Sequence, residues 1–256
     1  MTFRADSPLV TRTHTAINCE PRCGDIKPTL LILHYTGMSS AEKAIDWLAR
    51  AESKVSCHYV VDEFGSITQL VPEHQRAWHA GVSFWRGETD INSHSIGIEI
   101  QNPGHEHGYP DFSDAQMRGV ISLCQDIIAR HDIAPDGVLA HSDVAPERKI
   151  DPGEKFNWAL LAREGVGLWM PPDPVSDEDH GLELGACDMR VAHAQAMLSA
   201  FGYRAPQTGV LDVMTSKVIR AFQLHFRPER ADGRLDLSTQ ATLQRVVQAS
   251  ARNIVA

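Results

Sequence analysis

Thr29-Leu30-Leu31-Ile32-Leu33-His34-Tyr35 restricts the fold more than any other stretch of the chain. A run of consecutive aliphatic residues leaves no face for solvent, so it reads as a strand covered on both sides, as in a sheet layered between helices. The segments around it fit that layering. Ser39-Ser40-Ala41-Glu42 has the form of a capping box, and Ala41, Ala44, Ile45, Leu48 and Ala51 follow at helical spacing. Residues 58–62 and 66–71, on either side of Glu63-Phe64-Gly65, predict a β-hairpin. Residues 95–101 alternate strictly, with Ile96, Ile98 and Ile100 on one face and Gly97, Glu99 and Gln101 on the other. Ser113-Asp114-Ala115-Gln116 caps a second helix with a buried stripe of Met117, Val120, Ile121, Cys124 and Ile128, and residues 137–141 form a further short strand. The expected class is α/β, a mixed central sheet flanked by helices.

A different composition begins at Pro171-Pro172-Asp173-Pro174, followed by Val175-Ser176-Asp177-Glu178-Asp179. Such a stretch cannot hold a helix or a central strand. Residues 171–182 therefore read as a Pro-rich acidic linker between a unit of residues 1–170 and a small all-α helical module of residues 183–256. The module carries an internal repeat: the pattern of residues 209–215 returns at 233–239, each copy a Gly-containing turn leading to an expected Thr N-cap, Thr215 or Thr239, and an amphipathic helix. Val218, Phe222 and Phe226 line the first helix, Leu243, Val246 and Val247 the second, and a third begins near Asp188.

The formal net charge of −9 argues against nucleic acid or an anionic membrane surface as the main partner. Residues 1–15 contain no apolar core behind a basic start, and no apolar run approaches the roughly 18 residues of a membrane span. The expectation is a cytoplasmic protein, with the periplasm or cell envelope as the alternative. Five cysteines at irregular positions do not suggest a disulfide scaffold. Cys57 and Cys124 read as reduced core residues. Cys19 and Cys23 have the spacing of half a zinc knuckle but no second ligand pair, and read as structural.

Residues 140–153 bring together His141, Lys149 and Asp151. Asp151 precedes Pro152, whose ring favours an extended conformation in the residue before it. In an extended segment residues two apart point the same way, so Lys149 and Asp151 face one cleft. A catalytic zinc takes three protein ligands and keeps a position open. His141 and Asp151 offer two, and His34, near the end of the core strand, offers the third. Glu99, between Ile98 and Ile100, reads either as an exposed or ion-paired strand residue or as a general base taking a proton from water at the metal, its pKa raised by the apolar wall. Lys149 is either a solvated loop lysine or the group that stabilises the oxyanion formed when water attacks a carbonyl. His79, beside Trp78, is expected to line the cleft, where an aromatic packs on substrate. His58 reads as a hydrogen-bonded hairpin residue. His105-Glu106-His107 has a clip-like spacing but lies in a Gly/Pro loop without a third ligand, and reads as solvated.

Taken together, LILHYT at 31–36, SIGIEIQN at 95–102 and AHSDVAPERKIDPG at 140–153 resemble the zinc-dependent N-acetylmuramoyl-L-alanine amidases, the family that also includes peptidoglycan recognition proteins. Residues 56–67 and 77–85 are similar to that family's central hairpin and substrate-cleft loop, and the likeness spans about residues 25–165. It implies zinc on His34, His141 and Asp151, Glu99 as catalytic acid/base and Lys149 at the oxyanion; Asn102, just after the Glu99 strand, is expected to contact the stem peptide. Members that only bind peptidoglycan typically lack part of the ligand set, which is complete here. The C-terminal repeat resembles the helical peptidoglycan-binding module, with Ala221-Phe222-Gln223 and Asp232-Gly233 in matching places. The implied activity is hydrolysis of the amide between N-acetylmuramic acid and L-alanine in peptidoglycan or muropeptides. The alternatives are a non-catalytic peptidoglycan-binding protein and a zinc peptidase acting within the stem peptide.

Overall fold

The computed structural model describes residues 3–253. Its strands are β1 (Arg12–Thr13), β2 (Cys19–Pro21), β3 (Leu30–Tyr35), β4 (Tyr59–Val61), β5 (Ile67–Gln69), β6 (Gln75–Ala77), β7 (Ser95–Ile100) and β8 (Val138–Ala140). The α-helices are α1 (Ala41–Ala49), α2 (Ile91–His94), α3 (Asp114–His131), α4 (His141–Val144), α5 (Trp158–Arg163), α6 (Met189–Phe201), α7 (Val213–Phe226) and α8 (Leu237–Asn253). Six strands form a mixed sheet in the order β1-β5-β4-β7-β3-β8, antiparallel only at the β4–β5 hairpin, while β2 and β6 pair separately.

The doubly buried strand is β3, and its two faces meet different partners. Leu31 and Leu33, with Ile96, Ile98 and Ile100 of β7, pack on Met117, Val120, Ile121 and Cys124 of α3. Leu30 and Ile32 face the other way and join one apolar cluster with Trp85, Leu139 and, from the C-terminal helices, Val191, Leu198, Phe201 and Phe222. Further along this second face, Ala41, Ile45 and Leu48 of α1 cover Val60 and Leu70. A fully buried aliphatic or aromatic side chain contributes about 1.5–3 kcal/mol, so α6 and α7 are bound to the sheet by a shared core. The strand period carries His34 to the same face as Leu30 and Ile32, and the parallel β3–β7 register sets His34 opposite Glu99.

Three local expectations are corrected. Arg50 leaves the helical region with ψ 144, which ends α1 at Ala49 and leaves Ala51 exposed in a following 3-10 turn. In α3 Ile127 is fully covered, whereas Ile128 is only partly so. The caps of the repeat are aspartates: Asp212 Oδ1 accepts from Thr215 N at 2.7 Å, and Asp236 Oδ1 from Thr239 N at 2.7 Å. Both residue types cap well, and the threonine hydroxyls are taken by glutamines instead. Gln195 donates to Thr215 Oγ1 and accepts from Gly209 N, and Gln223 repeats this with Thr239 and Gly233. The sequence repeat is thus a repeat of hydrogen bonding.

The Pro-rich acidic stretch lies against α8. Asp173 N donates to Thr242 Oγ1 and Asp173 O accepts from Ser238 Oγ, Arg245 donates to Pro171 O, and Leu182 pairs with Leu235. No helix among the described residues is long and apolar enough to cross a membrane.

Candidate metal centre

Three segments meet where β3 and β8 end. His34 is the fifth residue of β3, His141 directly follows β8, and Asp151 closes the segment after α4, in a cis peptide bond with Pro152. The three residues are 1%, 3% and 6% exposed, so water does not solvate them freely. His34 Nδ1 lies 2.8 Å from His141 Nδ1, and Asp151 Oδ2 lies 3.3 Å from the first and 3.0 Å from the second.

The surrounding hydrogen bonds fix where the imidazole protons sit. Ile91 O can only accept, so the Ser95 hydroxyl donates to it at 2.6 Å. Ser95 Oγ therefore accepts from His79 Nε2–H at 3.1 Å, leaving His79 Nδ1 to accept from His34 Nε2–H at 3.0 Å. Likewise His141 Nε2–H donates to Ala80 O at 3.2 Å. Both Nδ1 atoms are left as bare lone pairs, aimed at each other and at a carboxylate oxygen. A cation satisfies such a trio. Donors about 2.0–2.1 Å from a tetrahedral ion lie roughly 3.3 Å apart, close to the spacing here. Among the described residues this is the only group of three or more His, Cys, Asp or Glu side chains placed to share an ion; Cys19 and Cys23 are free thiols outside any such group.

The electrostatics agree. Burial, and then the His141 charge, lowers the His34 pKa to about 4, which keeps its ring neutral. Burial alone would raise the Asp151 pKa, but His141 and then His34 beside it hold it well below the usual carboxylate range. Glu99 is pushed the other way, upward, by burial and by Asp151, with Lys149 opposing. Its Oε2 is covered and has no hydrogen-bond partner. A buried carboxylate oxygen left unpaired in a cleft is a proton acceptor waiting for a substrate or water.

His141, Asp151 and Glu99 open onto a cleft of about 510 Å³, lined also by Lys149, Tyr35, Met38, Trp47, Val55, Glu106 and His107. Lys149 makes no side-chain hydrogen bond among the described residues. His79 touches the cleft but is 8% exposed and holds His34 rather than offering a face to substrate. Trp78 is not part of the cleft lining, and its indole donates to Glu20 at 3.1 Å. In an extended segment neighbours point to opposite sides, so only one of the pair can face the metal. Asn102 is 2% exposed, and its amide is used within its own loop, donating to Pro110 O and accepting from Gly104 N. His58 is hydrogen-bonded, but its side chain reaches outside the hairpin, accepting from Gly97 N of β7 through Nδ1. In the 105–107 loop Glu106 and His107 are exposed, as expected, whereas His105 stacks on Tyr109 at 4.0 Å and bonds Tyr35 OH and Glu154. Trp47 is a cleft residue that reading the sequence missed. It is a large aromatic off the buried stripe of α1, 44% exposed, and that mismatch is its signal.

Residues 24–154 match the family described as N-acetylmuramoyl-L-alanine amidase, and residues 188–243 match one described as putative peptidoglycan binding domain. The chain is 36% identical over 231 residues to the N-acetylmuramoyl-L-alanine amidase AmiD of Escherichia coli (strain K12), covering 86% of this chain and 82% of that protein. It is 33% identical over 159 residues to the 1,6-anhydro-N-acetylmuramyl-L-alanine amidase AmpD of Enterobacter cloacae, covering 56% of this chain and 82% of that one. The solved E. coli AmiD complex with the substrate anhydro-N-acetylmuramic acid-L-Ala-D-gamma-Glu-L-Lys is similar with a TM-score of 0.75 and 35% identity, covering 90% of each chain. AMPDH3 from Pseudomonas aeruginosa follows with a TM-score of 0.73 and 31% identity, covering 88% of this chain and 92% of that one. With its metal-ready trio and these relatives, the chain belongs to the N-acetylmuramoyl-L-alanine amidase family.

Proposed function

We propose that the chain is a zinc-dependent hydrolase that cleaves the amide between the lactyl group of N-acetylmuramic acid and L-alanine, in peptidoglycan or muropeptides, during cell-wall turnover or recycling. The observation that carries this reading is the convergence of three lone pairs, on His34, His141 and Asp151, beside an unpaired Glu99 oxygen. Two imidazoles and a carboxylate suit zinc, with one position left open for chemistry. Zinc held there polarises a carbonyl and brings the pKa of water toward about 7. Glu99 takes the proton of the attacking water as the C–O bond forms, and returns it to the nitrogen as the C–N bond breaks. Lys149 faces the oxyanion in between. The products are a lactyl carboxylate on the sugar and a peptide beginning with L-alanine.

The likeness to a protein solved with an anhydromuramyl peptide supports including 1,6-anhydro muropeptides among the substrates. Residues 183–256, joined through 171–182 to the hydrolase unit of residues 1–170, are assigned to holding the polymer. Tethering raises local substrate concentration, so modest affinity suffices.

Mass spectrometry of intact and 1,6-anhydro muropeptides after digestion is the test. Free peptides beginning with L-alanine are expected, lost on exhaustive chelation and restored by Zn2+. Cuts within the peptide would make the chain a stem-peptide peptidase, and bound but uncut substrate a binding protein. Full activity after chelation would remove the metal from the reading.

A further inference from the structure

Asp143 is the point where the C-terminal helices reach the metal centre. It lies two residues beyond His141 in α4 and is 1% exposed. Its Oδ2 accepts from Ala140 N at 2.8 Å, which closes the turn that carries His141. The same turn holds the other late ligand, because Ser142 N donates to Asp151 O at 3.0 Å. The remaining capacity of the Asp143 carboxylate is filled from the C-terminal helical region: Tyr203 OH donates to Oδ1 at 2.5 Å, and His225 Nδ1–H donates to Oδ2 at 2.7 Å.

Both donors are themselves fixed. Tyr203 packs edge-on against Trp85 at 5.0 Å, and His225 is stacked between Trp158 at 3.7 Å and Phe226 at 4.1 Å. Each is 1% exposed, so water cannot replace either bond without the core opening. A buried carboxylate that loses a donor keeps its desolvation cost and must move to find another partner. Here such a movement turns the His141–Val144 segment and shifts two ligand side chains together.

We propose that Tyr203 and His225 are positioning residues of the metal centre, acting through Asp143, and that the C-terminal helices shape the active site as well as any polymer site of their own. The proposal rests on the reading that His34, His141 and Asp151 hold zinc.

The test uses the full chain and measures Zn2+ affinity by chelator competition, the visible spectrum of the Co2+-loaded protein, and melting temperature. Loss of a partner behind a ligand typically costs about 10- to 100-fold in metal affinity. That loss, with an altered Co2+ spectrum, is expected for His225→Leu and for Tyr203→Phe, which removes one hydroxyl and little volume. His225→Asn keeps a donor near the Nδ1 position and is expected to restore affinity and spectrum. Leu243→Ala, in the apolar core of α8, is expected to lower the melting temperature while leaving both unchanged. If His225→Leu does not fold, Tyr203→Phe carries the test alone. Wild-type affinity and spectrum in Tyr203→Phe and in folded His225→Leu would overturn the proposal while sparing the metal reading. A wild-type protein that binds no Zn2+ would overturn both.

Discussion

His34 and His79 share one hydrogen bond, Nε2–H to Nδ1 at 3.0 Å, and it decides which nitrogen of His34 faces the metal. Ser95 and Ile91 O behind His79 fix the direction of that bond. His79→Ala frees the His34 ring to turn and to change tautomer, and is expected to weaken Zn2+ binding about 10- to 100-fold, with kcat/KM falling in parallel. His79→Gln, whose carbonyl can accept from His34, is expected to recover part of the loss. Chelator competition measures the first effect and steady-state kinetics the second.

Gly97 is what lets His79 stand there. A Cβ at position 97 would lie 2.5 Å from His79 Cγ, closer than atoms tolerate, so the ring would have to shift. Gly97→Ala is therefore expected to act like a His79 substitution, with overpacking of about 1–3 kcal/mol added. A lowered melting temperature together with weakened Zn2+ binding checks this. A drop in stability alone would mean that His79 moves without disturbing His34.

These two residues mark the boundary of what the sequence discloses. The buried cluster of His34, His141 and Asp151 was legible because each member breaks a local rule: a histidine in a doubly apolar strand, a histidine closing a short strand, an aspartate held before proline. Glu99 was legible for the same reason, as a carboxylate in an isoleucine strand. The His79–Ser95–Gly97 support was not, because it exists only once β7 lies beside β3 and the loop after β6 folds over both. Nor does composition say what a polar segment leans on. The Pro-rich stretch announces that it is neither helix nor central strand, yet its ties to Thr242 and Ser238 arise from tertiary packing alone.

Glu99 gives a prediction in both activity and stability. Burial and Asp151 hold its pKa well above the usual carboxylate range, and a bound cation would draw it down. In the proposed role Glu99 must be ionised to take a proton, so kcat/KM is expected to fall with decreasing pH along a limb above that of an ordinary carboxylate. Glu99→Gln is expected to lower kcat about 10²- to 10⁴-fold while Zn2+ stays bound, since Glu99 is not in the trio. A raised folded pKa means that ionising Glu99 costs folding free energy as pH rises through it. The metal-free Glu99→Gln protein is therefore expected to melt higher than wild type at alkaline pH. Melting curves of the chelated proteins at pH 8 and pH 5 test this, the difference being smaller at pH 5.

His58 predicts how the metal-free fold fails in acid. Gly97 N donates to its Nδ1 at 2.9 Å, and its Nε2 lies 3.1 Å from both Gln75 O and the Arg22 guanidinium. A second proton would set two N–H groups against each other in a fully buried site. Burial, and then the Arg22 charge beside it, lowers its pKa to about 3. The unfolded chain takes up that proton near the ordinary histidine value of about 6.5. Stability from a neutral His58 is thus complete above roughly pH 6.5 and is lost as pH falls toward 3, at up to about 1.4 kcal/mol per pH unit. Denaturant unfolding of the chelated protein between pH 7 and pH 4 is expected to show this fall, and His58→Gln to make it shallower. An equal slope in the variant would mean that His34 and His79 alone set the acid limit.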